Sequence, residues 1–332
     1  MRASSVEIDI IRGKFDMKEI EVLVLEGAMS SGVAITYDML DTANRLLAAK
    51  GQGPAFAVHT SGSGSKTRGA GRPPGDIPDV LIIPGLGFTS ESAIAEGLAR
   101  ADMVDARQRL AKVAARGTEI AASCSATFLL ADTGLLDRRR ATTTWWLAPI
   151  FRRRFPAVEL DADAVIVADG PVITAGAAMA QIDLMLTLIA RHAGPTTADG
   201  CARYMLLDHR RSQTPYVALG LLAAADERVA RAEAWARPRL EQAIAVDQLA
   251  AAAALAPRTF ARRLERVTGL SPVRFLQRLR LERAIELVHS TRLPIEEIAR
   301  RVGYAEPSTL RRLFRREGHS ARALRVGHEA AA

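Results

Sequence analysis

Cysteine is almost missing from this chain: there are two in 332 residues, Cys124 and Cys201. Two cysteines give no disulfide framework, and the six histidines are scattered without metal-ligand spacing, so neither a metal nor a cofactor is expected. Long apolar runs are lacking too. Met1-Arg2-Ala3-Ser4-Ser5 leads directly into alternating charged and apolar residues, which is neither a membrane span nor a signal peptide. A cytoplasmic protein is the expectation. Aromatics are scarce at 5%, but a hydrophobic content of 48% is that of a globular chain, long enough here for two or three domains.

Lysine is absent from the last third. From Asp226 onward there are 21 Arg and no Lys against 13 acidic residues, which accounts for the whole net charge of +8. The first 225 residues balance, with 24 basic and 24 acidic side chains. Such a distribution is the electrostatic footprint of a phosphate-binding module attached to a neutral domain. The preference for Arg over Lys accompanies abundant Ala and is compositional habit, not chemistry.

Within that basic third the sequence repeats itself at about 50 residues. Val246-Asp247-Gln248-Leu249-Ala250 predicts a short helix with its acid near the N-terminus. Leu255-Ala256-Pro257 turns the chain, because proline suits the first position of a helix and not its interior. The next helix places Phe260, Leu264 and Val267 on one apolar stripe, shows Arg258, Thr259, Arg262, Arg263 and Arg266 elsewhere, and stops at Gly269. Ile295 to Ala299 begins a second round, through Val302-Gly303-Tyr304 to Pro307. Its second helix holds Leu310, Leu313 and Phe314 inside and Arg311, Arg312, Arg315 and Arg316 outside, closing at Gly318. One Arg-rich amphipathic helix reads equally well as a solvated face. Two, each after a short helix and a tight turn, read as paired helix-turn-helix units.

The stretches from Asp247 to Leu279 and from Pro294 to Gly318 resemble the AraC/XylS-type DNA-binding domain, with a connecting helix over about 272–289. Ser320-Ala321-Arg322-Ala323-Leu324-Arg325 departs from that family's usual ending of proline and an aromatic residue before Arg. The resemblance implies that each recognition helix enters a major groove, one helical turn apart. Arg258, Thr259 and Arg262, and in the second unit Ser308, Thr309 and Arg312, are expected at base edges. Arg263, Arg266 and Arg316 are expected at phosphates.

Ahead of the basic third, strands alternate with helices. Strands are expected near residues 19–25, 54–59, 80–84, 119–122, 165–168 and 172–174, with helices over 32–50, 90–116, from Ala126, 179–192 and 196–207. That alternation predicts an α/β domain with a mostly parallel sheet covered on both faces. Ligands in such folds gather at the C-terminal ends of strands, where Gly85, Cys124 and Thr143 are expected. Cys124 stands between a strand and a helix N-terminus, as a nucleophile elbow would require. The alternative is a small buried thiol at a tight turn.

The run from Cys124 to Asp137, with Arg140-Ala141-Thr142-Thr143-Thr144-Trp145, resembles the PfpI-type, class I glutamine-amidotransferase-like domain of GlxA-type regulators. The likeness extends over about 19–207 and includes Thr174-Ala175-Gly176. It implies a flavodoxin-like fold that senses a small molecule, with an effector pocket at Gly85, Cys124, Ser125, Thr143, Thr144 and Trp145. The residues depart from the catalytic pattern: Ser125 follows the cysteine where His is common, and Gly32 stands where an acid is expected. Thr144 precedes Trp145 without an intervening His, and Leu86 replaces the second glycine of the oxyanion loop. No enzyme activity is expected. Trp145 and Trp146 either wall a pocket suited to an amine or pack in the core.

The expected organisation is an extension over 1–18, with Met17 an alternative start; a sensing domain over 19–208; a linker over 209–225; and a DNA-binding domain over 226–332. In the last, Val229, Ala232, Trp235 and Ala236 are expected in the core, and Pro238 ends their helix. The partners implied are double-stranded promoter or operator DNA, an amine-like or amino-acid-like effector, a second copy in a homodimer, and RNA polymerase. The rival reading is a Cys124-dependent amidase or hydrolase tethered to DNA.

Overall fold

A strand buried on both faces is apolar at every position, and Val80, Leu81, Ile82 and Ile83 are all 0% exposed. They form the third strand of a six-stranded sheet in the computed structural model, which describes residues 16–63, 77–210 and 212–316. The chain divides into two compact units, Met1–Gln213 and Thr214–Ala332.

The first unit runs β1 (Lys18–Leu23), α1 (Ser30–Ala48), β2 (Phe56–Ser61), β3 (Val80–Ile83), α2 (Glu91–Leu98), α3 (Ala101–Ala114), β4 (Glu119–Ser123) and α4 (Thr127–Asp132). It continues through β5 (Arg140–Ala141), α5 (Ala148–Arg154), β6 (Glu159–Leu160), β7 (Ile166–Asp169), β8 (Val172–Ala175), α6 (Ala180–Ala193) and α7 (Pro195–Tyr204). The strand order is β2-β1-β3-β4-β8-β7, parallel throughout except where β7 runs against β8. Alternate side chains serve two cores. Leu81, Ile83, Ile120 and Ala122 meet Met103, Leu110 and Phe128 on one face. Val80, Ile82, Ala121 and Ile173 meet Met39, Leu40, Leu184 and Ile189 on the other. This is the mostly parallel sheet covered on both faces that the alternation predicts, in the flavodoxin-like form that the resemblance implies.

Two details differ from expectation. The single helix expected over 90–116 is two, because the chain leaves helical geometry at Arg100. Arg100 donates to the Glu26 carbonyl, and Asp102 accepts from Glu26 N at 2.9 Å, so the start of α3 is tied to the loop after β1. Thr143 follows β5, which pairs only with β6 in a separate two-stranded sheet, so it does not lie at the end of a main-sheet strand.

The second unit contains α8 (Leu219–Ala223), α9 (Glu227–Ala236), α10 (Val246–Ala252), α11 (Pro257–Thr268), α12 (Pro272–Ser290), α13 (Ile295–Arg301) and α14 (Pro307–Arg316). The segment 209–225 thus holds a helix of its own, with Leu219 fully buried. Pro257, Pro272 and Pro307 each begin a helix, where the missing N–H costs nothing. Gly269 closes α11 in the left-handed region, at φ 74°. The two interhelical turns share that backbone, with Ala254 at φ 52° and Gly303 at φ 79°. Phe260 and Leu264 are fully buried, as are Leu310 and Phe314, while Val267 is only half-buried. Trp235 is a correction: it is half-buried, and its ring lies under the Arg239 guanidinium at 4.9 Å instead of entering the core. The expected stop at Gly318 and the ending 320–325 lie outside the described residues, as do residues 1–15.

Candidate functional site

On α11 the side chains of Arg258, Thr259, Arg262 and Arg266 are exposed; on α14 so are Ser308, Arg312 and Arg316, with Thr309 half-buried. The two sets share a spacing of i, i+1, i+4 and i+8, and each residue of the second stands 50 after its counterpart. On an α-helix that spacing lines one face. The two helices therefore show corresponding faces that share Thr, Arg and Arg, while the leading residue is Arg258 in one and Ser308 in the other. The opposite faces carry Phe260 and Leu264, and Leu310, Leu313 and Phe314, into the core.

Arg263 has a different position from the others. Its Nε donates to Asp226 Oδ2 at 2.6 Å, and Asp226 Oδ1 caps α9 by accepting from the Arg228 and Val229 N–H groups. Arg266 Nη2 is 3.9 Å from the same carboxylate. Burial alone would raise the Asp226 pKa, but the Arg263 hydrogen bond and the two backbone donors outweigh it and hold the carboxyl below its ordinary value. Asp226 thus ties α11 to α9. Sequence reasoning placed Asp226 at the start of the DNA-binding domain and missed this contact, since nothing local pairs residue 226 with 263. Glu296 binds Arg311 in the second unit, and Glu297 holds both Arg300 and Arg301.

In the first unit, β4 delivers Cys124 at φ 55°, a left-handed conformation that is strained for any residue with a Cβ. The turn is held from its carbonyl: Thr143 Oγ1 donates to Cys124 O at 3.0 Å, and Thr127 Oγ1 lies 2.7 Å from Thr143 Oγ1. Gly85 comes close enough that an added Cβ would lie 2.9 Å from the Cys124 Cβ, with Met29 Sδ beside the same point. Ser125 Oγ accepts from Leu86 N at 3.2 Å and Phe88 N at 3.3 Å. The structure therefore brings Gly85, Cys124, Ser125, Thr143 and Thr144 together. Ser125, Thr143 and Thr144 are fully buried. Trp145 is attached to this group through Thr144, and its half-buried ring packs edge-to-face on Trp146 at 5.3 Å.

Burial pushes the Cys124 thiol above its ordinary pKa; donors from Ser125, and least of all the Thr144 hydroxyl, only partly counter it. Thr144 Oγ1 faces the sulfur yet makes no hydrogen bond of ordinary geometry among the described residues, and Ser123 Oγ is likewise unpartnered. Among those residues no group of three or more His, Cys, Asp or Glu is placed to hold a metal ion. No described helix is long and apolar enough to cross a membrane. Two residues that sequence reasoning missed adjoin the site: the Gln213 amide donates to Thr143 O, and Gly176 leaves the space for it.

Residues 249–325 match the helix-turn-helix domain family, and residues 75–191 match the DJ-1/PfpI family. A doubly wound domain built around a cysteine elbow, followed by two basic helix-turn-helix units, defines a DNA-binding transcriptional regulator with a DJ-1/PfpI domain. The chain thus carries a DJ-1/PfpI-family segment ahead of a helix-turn-helix domain, and it is similar to several proteins named as transcriptional regulators. It is 26% identical to the HTH-type transcriptional regulator CdhR of Pseudomonas aeruginosa, over 88% of this chain and 87% of that one. It is 28% identical to the HTH-type transcriptional regulator GlxA of Rhizobium meliloti, over 65% and 67% respectively. Over 106 residues it is 37% identical to the HTH-type transcriptional activator RhaS of Escherichia fergusonii, covering 32% of this chain and 38% of that one.

Proposed function

We propose that the first unit senses a small molecule without turning it over, and that its state sets how the second unit binds operator DNA in the cytoplasm. The observation that carries this reading is the condition of Cys124. Nucleophilic catalysis needs a thiolate, a base within reach and free oxyanion donors. Here burial favours the neutral thiol. Its surroundings are threonine hydroxyls and the Met29 thioether, and Ser125 Oγ already occupies the Leu86 and Phe88 N–H groups. Binding is supported by the hydroxyls of Thr144 and Ser123, buried and without partners among the described residues, and by the ring of Trp145, the residue after Thr144 in the chain. An amine-like or amino-acid-like effector fits that combination of polar atoms and ring.

On the DNA side, Arg258, Thr259, Arg262, Ser308, Thr309 and Arg312 approach base edges, and Arg266 and Arg316 the phosphates. Arg263, held by Asp226, orients its helix and reaches phosphate only secondarily. A homodimer would place four such helices on two half-sites. Contact with RNA polymerase would convert the bound state into transcriptional output.

Cys124→Ser tests the sensing reading. The substitution keeps a small polar group at the elbow, so the full-length variant is expected to retain both DNA binding and the response of an operator-linked reporter to a panel of amines and amino acids. Loss of that response, together with measurable amide hydrolysis by the parent protein, would establish the hydrolase instead.

A further inference from the structure

Gln213 is the last residue of the first unit, and its side chain is 3% exposed. A long polar side chain so deeply buried needs partners for every polar atom. It has them, and all but one are backbone groups around the threonine site. Nε2 lies 2.9 Å from Thr143 O, 3.1 Å from Ala162 O, 3.0 Å from Ala164 O and 3.3 Å from Thr142 Oγ1. Oε1 accepts from Ala177 N at 2.9 Å, and the Gln213 backbone N–H donates to Asp163 O at 2.7 Å. Three carbonyl oxygens around one NH2 group specify an amide there and reject a carboxylate.

The socket for this amide is built in. A Cβ on Gly176 would lie 2.3 Å from Gln213 Cδ, so only glycine leaves the space. The approach to Gln213 is also fastened. Ser212 forms an antiparallel bridge with Ala164, and Arg210 Nη2 reaches Asp183 Oδ2 at 2.5 Å and Met179 O at 2.6 Å. One peptide bond further on, inside the second unit, Thr214 O accepts from Arg278 of α12, the helix that joins the two helix-turn-helix units. The junction is therefore anchored on both sides of a single bond.

We propose that Gln213 is the positioning residue that couples the Thr142–Thr144 site to the DNA-binding unit, a device that rests on reading those threonines as the sensing site. An occupant that shifts the Thr143 carbonyl changes the amide's partners, and the backbone entering Thr214 is held or released accordingly. Coupling of this kind is reciprocal, so DNA bound at the second unit must be felt at residues 142–144.

That reciprocity allows a test with DNA as the only probe. Amide hydrogen exchange is measured on the full-length protein, free and bound to a duplex selected from a random pool. In the parent protein, DNA is expected to change exchange at 142–145 and 162–165 by about fivefold or more, the lower end of ordinary coupling. Gln213→Asn, one methylene too short to reach the same carbonyls, is expected to abolish that change while leaving affinity for the duplex intact. Gly176→Ala, which expels the amide from the opposite side, is expected to do the same. Exchange that remains DNA-dependent in both variants, or that is insensitive to DNA in the parent protein, would overturn the proposal. Failure of the sensing reading would register separately, as an unchanged amine response in Thr144→Val, with the exchange result standing.

Discussion

Arg262→Ala is expected to weaken binding to the preferred duplex by about 1–3 kcal/mol, about 5- to 150-fold, and to relax selectivity at one base position. Arg262 stands four residues into the exposed face of α11, one turn beyond Arg258, where a guanidinium projecting from a groove-bound helix reaches a base edge. Guanine offers two acceptors there, and an alanine leaves both to water. Arg266→Ala, a further turn along, is expected to weaken preferred and scrambled duplexes alike and to reduce the log–log salt slope by about 1. Titration of both variants against a panel of single-base operator changes separates the two outcomes. Equal, sequence-independent losses from both would refute the division between base and phosphate contacts.

Asp226→Ala is expected to cost the second unit about 2 kcal/mol, because one carboxylate performs two tasks. It caps α9 through the Arg228 and Val229 N–H groups, and it holds Arg263 on α11. Asp226→Asn keeps the cap and loses the ion pair, and is expected to recover about half of that cost. The pH dependence follows from the direction of the shift. Because the folded unit holds this carboxyl below its ordinary value, the stabilisation is full above the ordinary carboxylate range and is lost as the pH falls through and below it. Thermal melts of the parent protein should therefore lose stability in acid more steeply than those of Asp226→Asn. Superimposable acid limbs would show that the Arg263 pair contributes nothing.

Much of this architecture was legible because its signals are local. Val80 to Ile83 is an uninterrupted apolar run, and a strand buried on both faces requires one. Pro257, Pro272 and Pro307 mark helix starts wherever they are met, and the matched faces of α11 and α14 follow from counting along the chain. What escaped depends on contacts between residues distant in sequence. The break at Arg100 comes from a loop more than 70 residues earlier, at Glu26. Trp235 looks like core by its spacing, yet it is half-buried with the Arg239 guanidinium over its ring. Gln213 looked like part of a polar linker, since Ser212-Gln213-Thr214-Pro215 has that composition, and only the fold supplies the carbonyls at 143, 162 and 164 that surround its amide. The same holds at the elbow. Ser125 was legible as a departure from the catalytic pattern, but its use of the Leu86 and Phe88 N–H groups was not.

The central claim is that the second unit reads sequence, and a salt series tests it most directly. Binding of the full-length protein to a duplex enriched from a random pool is compared with binding to the same bases scrambled, from low to physiological ionic strength. The account predicts steep salt dependence on both duplexes and a preference of about 10³-fold or more that persists at physiological salt. Equal affinity for the two duplexes across the series, with no motif enriched from the pool, would contradict it and leave a protein that recognises only phosphate.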